Sequence, residues 1–495
     1  MKKIFLSAIV SFAALGASAQ NAYDATNLIQ NDLNGSARYV GMGGALNALG
    51  ADISTMSSNP ASTGLYRKSD VGFTFSALTT GEQGQLGYDR SKLSFDQAGI
   101  VFAFNTDNSS DGLQFVNLGI NYRKSRNFFG NVFTNVANLN NAYSQTMQIA
   151  DLAEANWINE MDQWGLLADV SAENHEKGYE HPGIIFSDDE FGYYGIAARD
   201  ANYRRHTYGG ISEVDLNMSF NVSDRFYYGL TLGIYDIDYS RESFYEELGV
   251  DNSFYDFSNW FRTTGSAFDL KLGFICRPIE ESPFRFGIAL NTPTWYKLTD
   301  ANGTELYLDD QFVASGRSND FDYKLTSPWK VNLSLGHTIG NKVALGAEYE
   351  FAKFNTASYG SVDNYDAQYM RDVTTNRIKP NLKTQHTLKL GVEYKPVDAL
   401  SLRLGYNYVS SPIKKDAYNT ILYFEPTTDT DYTNWKGLSR ITCGAGYRWK
   451  SGYVDVAYLY QMQKGDFYAF DHVDLLPTSI KNNRGQFIAS LGFRF

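Results

Sequence analysis

The sequence is dominated by short segments in which apolar and polar residues alternate. In the last of them, QFIASLGFRF, Phe487, Leu491 and Phe493 share one side, and Gln486 and Ser490 share the other. Successive side chains of a β-strand point to opposite faces, so this period of two predicts a strand with one apolar face. About fourteen such segments occur, each near the length of about 9 to 11 residues with which a tilted strand crosses a bilayer. They begin near Val71, Gly99, Gln114, Ser212, Phe226, Ala267, Phe284, Trp329, Val343, Gln385, Leu400, Leu438, Tyr453 and Gln486.

The connections between these segments alternate between short and long. Short links such as NVSDR, IGNK and KSG contrast with long ones at 124–211, 241–265, 297–327, 355–383, 411–437 and 465–485. Short turns on one side and long loops on the other are typical of an outer-membrane barrel. An open sheet edge in lipid would leave backbone groups unpaired, so the sheet must close. We therefore predict an all-β fold, a transmembrane antiparallel β-barrel of about fourteen strands, with a secreted soluble β protein as the alternative.

The N-terminal residues have the pattern of a secretory signal peptide. Two lysines precede an apolar run at 4–15, and the small residues Ala17, Ser18 and Ala19 follow. We expect cleavage after Ala19, so that 1–19 is the signal peptide. The destination would be the cell outer membrane of a Gram-negative-type bacterium. The net charge of −12 opposes nucleic-acid binding, which favours a basic face.

A glycine-rich stretch, an acidic residue and an Asn-Pro-Ala motif precede the first strand. They are, within SARYVGMGGALNALGADISTMSSNPASTGL (36–65), Gly41, Gly43 and Gly44, then Asp52, then Asn59, Pro60 and Ala61. Asn59 can cap a helical turn, and Pro60 suits its first position. A barrel of about fourteen strands encloses a lumen too wide for its own wall side chains to fill. We therefore expect 20–69 to be an N-terminal periplasmic or luminal plug and 70–495 to be the barrel with long extracellular loops.

This segment resembles the N-terminal plug of the FadL-type long-chain fatty acid transporters, the OmpP1/FadL/TodX family. The resemblance implies that the motif residues above form the plug, or gate, in the lumen. It also implies uptake of hydrophobic compounds such as long-chain fatty acids by passive diffusion: outer loops catch the substrate, an inner pocket receives it, and it leaves sideways through the wall. Expected partners are hydrophobic small molecules, outer-membrane lipid and the barrel assembly machinery, which would engage the strand that ends at Phe495. We expect a monomer without a cofactor.

One of the long connections, 241–265, is crowded with aromatic residues. We expect it to be an exposed outer loop, in the position of the family's third outer loop, which helps to line the substrate-capture groove. Exposed aromatic clusters usually mark a binding surface. The candidate capture residues are Phe254, Tyr255, Phe257, Trp260 and Phe261. The alternative is a loop that packs these rings internally.

Other functions stay open from the sequence. A general polar porin is suggested by inward charges such as Lys271, Glu348 and Arg403. A receptor for haemin or another ligand is also compatible with the tyrosine-rich acidic surface. Catalysis is not expected, because no spacing in the sequence specifies a serine–histidine pair of the kind that hydrolytic enzymes use. We expect no metal site either, although His175 and His181 in one loop could bind a metal ion.

Overall fold

The chain consists mainly of β-strands, with short helices before and between them. The computed structural model describes residues 20–81, 89–106, 112–137, 139–154, 185–188, 192–308, 311–317, 320–363, 367–419, 430–470 and 474–495, so the expected signal peptide lies outside the described residues. The helices are α1 (Ala22–Ile29), α2 (Ala37–Gly41), α3 (Gln145–Glu154), α4 (Ala367–Val373), α5 (Lys379–Asn381), the 3₁₀ helices Ile53–Ser57, Pro60–Leu65 and Phe354–Thr356, and the π-helix Thr374–Ile378. None of the described helices is long and apolar enough to cross a membrane.

The strands vary widely in length. The first twelve are β1 (Asp70–Thr80), β2 (Ser91–Asn105), β3 (Leu113–Asn127), β4 (Gly130–Asn135), β5 (Ile185–Asp188), β6 (Gly192–Gly195), β7 (Ala198–Val222), β8 (Phe226–Gly249), β9 (Phe254–Cys276), β10 (Arg285–Asn291), β11 (Trp295–Leu308) and β12 (Gln311–Arg317). The others are β13 (Phe321–Thr326), β14 (Lys330–Ile339), β15 (Val343–Lys353), β16 (Ser358–Ser361), β17 (Thr384–Val397), β18 (Leu400–Val409), β19 (Tyr432–Trp435), β20 (Leu438–Arg448), β21 (Gly452–Met462), β22 (Lys464–Tyr468), β23 (Thr478–Lys481) and β24 (Arg484–Arg494).

One antiparallel sheet closes on itself to form the wall of the barrel. The wall has fourteen positions, and β1 closes the ring by pairing with both β2 and β24. The positions in order are β1, β2, β3 with β4, β7, β8, β9, β10 with β11, β13 with β14, β15 with β16, β17, β18, β20, β21 and β24. The predicted fold class is confirmed. We call the end of the barrel with the short turns the inner end and the other the outer end.

The two faces of the wall differ in polarity as the alternation predicted. On β24, Phe487 and Leu491 are exposed at 52% and 44%, whereas Gln486 and Ser490 are buried. An apolar outer face is what contact with lipid requires, and the polar face is turned to the lumen. Both cysteines are free thiols; Cys443 is exposed on the outer face, and Cys276 is half-buried.

The connection at 241–265 is not a loop, and the prediction that it is one was wrong. β8 runs on to Gly249 and β9 begins at Phe254, so the two strands extend far past their expected outer ends and meet at a short turn at 250–253. The alternation of apolar residues simply continues past the expected strand end. Tyr255, Phe257 and Phe261 turn inward and are buried, at 5%, 1% and 2% exposure.

Smaller elements cover the outer end of the barrel. The strands β19, β22 and β23 form a separate three-stranded sheet, and β5 and β6 form a hairpin. Buried side chains of this sheet, such as Phe467, pack with Tyr203, Tyr245 and Phe257 on the extended parts of β7, β8 and β9. These contacts fix the outer elements over the lumen.

Candidate functional site

The N-terminal residues fill the lumen of the barrel through four short helices. Each helix begins at a polar side chain that accepts hydrogen bonds from the first backbone N–H groups: Asn21 for α1, Ser36 for α2, Asp52 for Ile53–Ser57 and Asn59 for Pro60–Leu65. Such caps satisfy donors that would otherwise stay unpaired. Each cap thereby satisfies one or two of the backbone donors that a helix start leaves unpaired in the confined lumen.

The Asn-Pro-Ala motif forms a tight bend against the wall. The Oδ1 atom of Asn59 accepts a hydrogen bond from the N–H of Ala61 at 3.1 Å, and Pro60 opens the 3₁₀ helix. Opposite the bend, Gly229 on β8 pairs with Gly273 on β9. A Cβ atom at either glycine would overlap the backbone of the motif, so this contact depends on bare backbone in the wall.

The glycine-rich stretch also packs its backbone against glycines of the wall, on the other side of the lumen. Four wall glycines lie in register on neighbouring strands, namely Gly336, Gly346, Gly391 and Gly405. The backbone from Met42 to Ala48 runs across this row. Gly43 has φ +62°, and a Cβ there would lie 2.9 Å from the carbonyl oxygen of Leu390 and from the backbone N and O of Tyr406. Glycine is therefore required both by the conformation and by the space.

Asp52 joins the inner part of the plug together. Its carboxylate accepts hydrogen bonds from the Oγ of Ser36 at 2.8 and 2.9 Å and from the N–H of Ser54 at 3.0 Å. Arg38 lies 3.9 Å from the same carboxylate and 3.4 Å from Glu393 on β17. Asp52 thus links the plug to the buried charges of the wall.

A cavity of about 310 Å³ lies in the lumen between the plug and the outer elements. Aromatic side chains such as Tyr23, Phe128 and Trp435 line part of it. The charged lining is mostly cationic and consists of Arg123, Arg126, Arg205, Arg241, Lys330, Lys389, Lys436, Arg440 and Arg484, against Asp24, Asp32, Glu350 and Asp431. The cavity therefore combines aromatic rings with a lining rich in cationic side chains.

Most of these cations have an acid of their own. The pairs, with their N–O distances, are Arg205 with Asp431 at 3.1 Å, Lys389 with Glu348 at 3.3 Å, Arg241 with Asp24 at 3.6 Å and Lys436 with Asp466 at 2.8 Å. Arg123 pairs in the same way with Glu213. One carboxylate, that of Asp32, is instead shared by three arginines.

Asp32 lies on the link between α1 and α2, next to β3. The carboxylate is 3.1 Å from Arg484, 3.7 Å from Arg440 and 3.9 Å from Arg126, and it accepts a hydrogen bond from the N–H of Asn127 at 3.0 Å. Burial alone would raise the pKa of Asp32, but the charges of the three arginines outweigh it and hold this pKa well below its usual value. Asp32 is therefore ionised at any pH at which the barrel would function.

The wall is interrupted beside this site. The ladder between β2 and β3 runs only from Gln97↔Arg123 to Asn105↔Phe115, so within the described part of the chain the outer part of β2, at 91–96, pairs with β1 alone. The outer part of β3 has a register shift between Lys124 and Arg126, and β4 pairs with β7. Among the described residues, one hydrogen bond of 3.3 Å from Asn131 to the carbonyl of Asp89 spans this break. Residues 126–132 line the cavity, so the break lies beside it.

The five predicted capture residues do not form one exposed cluster. Trp260 is exposed at 36%, on the face of β9 opposite to the buried Tyr255, Phe257 and Phe261, and Phe254 is half-buried. The expected exposure was wrong for the three buried rings. A role of this segment in substrate capture stays a prediction. For a metal, His175 and His181 lie outside the described residues, and no group of potential ligands occurs within them.

Sequence reasoning did not find the arginines around Asp32 as a set. Arg440 follows the inward parity of a predicted strand, but Arg126 lies in what was expected to be a loop, and Arg484 lies before the expected start of the last strand. The lone acidic residue just before the glycine-rich stretch gave no spacing signal. Only the closure of the barrel brings the four residues together.

A closed barrel whose lumen is filled by its own N-terminal helices, with a cavity beside a break in the wall, defines a plugged transmembrane barrel. Residues 211–469 match the family of outer membrane transport proteins known as OMPP1/FadL/TodX, and this chain belongs to that family. No curated protein sequence matches the chain.

Solved structures show the same fold at low sequence identity. A Pseudomonas aeruginosa FadL homologue is 15% identical, with 97% of this chain and 100% of that one covered and a TM-score of 0.50. The Ralstonia pickettii toluene transporter TbuX is 12% identical, with 94% and 99% covered and a TM-score of 0.50. The Pseudomonas putida toluene transporter TodX is 13% identical, with 94% and 99% covered and a TM-score of 0.51. At these identities the likeness concerns the fold alone.

Proposed function

We propose that this protein takes up hydrophobic compounds that carry an acid group, such as long-chain fatty acids, by passive diffusion across the outer membrane. The main support is the cavity, in which aromatic rings stand beside nine cationic side chains, three of which share the single carboxylate of Asp32. Apolar surface would hold the tail of a fatty acid, and guanidinium groups would hold its carboxylate. Two of the structurally similar proteins are described as toluene transporters, but toluene has no charge that this lining would recognise.

The proposed route starts at the outer end and leaves through the wall. A substrate would be captured near Trp260, enter the cavity, and exit at the break between β2 and β3. Beside the break, Leu93 and Phe95 on β2 are exposed at 83% and 40%, which gives an apolar path into lipid. Residues 20–69 act as the plug in this proposal, and Gly41 to Ala61 keep the inner end closed.

The break can be tested with a reversible disulfide. Asp89 and Asn131 are replaced by cysteine in a background in which Cys276 and Cys443 are serine, and uptake of radiolabelled palmitate is measured in cells that lack other fatty acid transporters. Oxidation should stop uptake by bridging the break, and reduction should restore it. For a control bridge, Thr299 and Asp322 are replaced by cysteine. These residues pair across β11 and β13, and the Oγ1 of Thr299 donates a hydrogen bond to the Oδ1 of Asp322 at 2.6 Å. Oxidation of that bridge should leave uptake unchanged.

The same cells distinguish the other two functions. If the protein with cysteines at positions 89 and 131 takes up palmitate equally well in its oxidised and reduced forms, the lateral exit is ruled out. A protein that passes small neutral sugars but not palmitate is a general porin. Haemin also has an apolar ring with carboxylates, so competition between haemin and palmitate for uptake shows which of them the cavity prefers.

A further inference from the structure

We propose that the arginines around Asp32 form the head-group site for the cargo and that Asp32 occupies this site until a cargo carboxylate displaces it. This inference rests on the proposed uptake of acidic amphiphiles. To that uptake it adds a specific binding site for the carboxylate of the cargo and a carboxylate of the protein that competes for the same site. We call Arg126, Arg440 and Arg484 the arginine triad.

The charge balance at the triad supports a second anion. Three guanidinium groups face a single carboxylate, at 3.1 to 3.9 Å. Their other partners are neutral oxygen atoms, such as the side-chain oxygens of Asn27, Asn407 and Gln461 and the carbonyl of Asn127. A buried cation needs a partner of opposite charge. Asp32 alone therefore does not balance the charge of the triad, so a cargo carboxylate can compete with it for the same guanidinium groups.

Unused hydrogen-bond donors point to the same conclusion. The Nε atoms of Arg126 and Arg484 and the Nδ2 atom of Asn127 are buried and have no acceptor among the described residues. Other buried arginine Nε atoms, such as those of Arg123 and Arg285, also have no acceptor among the described residues. The three donors here differ in that they belong to residues that contact one shared carboxylate. All three of these residues line the cavity. A carboxylate that entered from the cavity would bring two acceptor oxygens to this cluster of donors.

The position of Asp32 connects head-group binding to the exit. Its N–H donates to the carbonyl of Ser125 at 2.8 Å, and its carboxylate accepts from the N–H of Asn127. These bonds fasten the link between α1 and α2 to β3, directly beside the break in the wall. A cargo carboxylate at the triad would remove the charge attraction that holds this link. The link would then loosen where the cargo must pass.

Binding of palmitate and of methyl palmitate to the purified full-length protein in a neutral detergent tests the inference. The two ligands share one tail, and only palmitate has a carboxylate. If Asp32 fills the site in about nine of ten molecules, Asp32→Asn should tighten palmitate binding about tenfold and leave methyl palmitate unchanged. Asp238→Asn is the control for net charge, because Asp238 pairs with Arg262 at an exposed position. It should change neither affinity.

Substitutions in the triad test the other partner. Arg484→Gln should remove most of the preference for palmitate over its ester, and Arg484→Lys should keep part of it. Hydrogen exchange in the unaltered protein gives an independent measurement, which applies even if a variant fails to assemble. Palmitate should speed exchange of the N–H groups at 30–34, and methyl palmitate should not.

The results separate this inference from the proposed function. If the unaltered protein binds palmitate but Asp32→Asn leaves both affinities unchanged or shifts both equally, Asp32 is not a competitor and the inference is wrong. Equal exchange at 30–34 with both ligands would also overturn it. If the unaltered protein binds neither ligand, the proposed function fails and the inference fails with it.

Discussion

Replacing Gly43 by alanine should weaken the attachment of the plug to the wall without preventing assembly of the barrel. Gly43 has φ +62°, a conformation that costs a residue with a Cβ atom about 1 to 2 kcal/mol. The new Cβ would also lie 2.9 Å from three backbone atoms of β17 and β18, which cannot move separately from the wall. Overpacking of this kind costs about 1 to 3 kcal/mol. The expected loss is therefore about 2 to 5 kcal/mol.

Two glycines outside the plug provide controls for the substitution. Gly340, in an inner turn, has φ +55°, and a Cβ atom there would have no described atom within 4 Å, so its replacement by alanine introduces only the conformational strain. Gly360, on β16, has no positive φ, and the nearest neighbour of a Cβ there would be Lys324 at 3.7 Å. Its replacement by alanine should cost almost nothing.

Conductance of single channels in planar bilayers, measured across a urea titration, reports release of the plug. Gly43→Ala should raise the population of molecules with an open lumen by about 30-fold or more. This factor follows from the lower limit of about 2 kcal/mol, since about 1.4 kcal/mol corresponds to a factor of ten. Gly340→Ala and Gly360→Ala should leave the urea concentration of plug release unchanged. If Gly43→Ala releases its plug at the same urea concentration as Gly340→Ala, close packing of the plug backbone on the wall does not hold the plug in place.

The remaining predictions concern the cap, the aromatic strand and the cysteines. Asn59→Ala should weaken plug attachment by about 1 kcal/mol, because a helix cap is lost, and the same conductance titration measures it. Phe261→Ala should destabilise the outer end by about 3 to 5 kcal/mol, measured by thermal unfolding, because Phe261 is buried. Trp260→Ala should cost less stability than Phe261→Ala, because Trp260 is exposed at 36%, and it should lower palmitate uptake at limiting concentration; normal uptake would refute its capture role. Cys276 and Cys443 should stay unbonded, and an intact mass about 2 Da below that of the dithiol form, as loss of two hydrogens on S–S bond formation requires, would contradict this.

The wall could be predicted from the sequence because alternation reports directly on the two environments of a strand. Each expected start lies within a strand of the wall or directly precedes one, although Gly99, Ser212 and Ala267 fall well inside β2, β7 and β9, which begin earlier in the chain. The outer limits of the strands were less predictable. At 241–265 the strands leave the membrane but continue to pack against other outer elements, so Tyr255 and Phe257 are buried by protein. A sequence does not reveal whether an apolar face meets lipid, solvent or another loop.

The plug could be predicted in part. Asn59 and Pro60 have local preferences that hold in any setting, and the cap forms as those preferences indicate. The wall glycines that receive the plug were not predicted, because each is an ordinary residue within its own strand. Their function depends on register, which places Gly346 beside both Gly336 and Gly391. Asp32 was missed for the same reason, since its three arginines come from distant parts of the chain.

The plug closes the lumen at two levels by different means. At the inner end, backbone packs on wall glycines around Gly43 and Asn59. Towards the outer end, α1 is held by apolar packing and by side-chain contacts such as that from the hydroxyl of Tyr23 to Asn434 at 2.8 Å. The link at Asp32 lies between these levels and beside the break in the wall. On the proposed route, a cargo that leaves through the break would displace this link, and the inner closure could stay intact during transport. A hydrophobic acid could then cross while polar solutes are excluded.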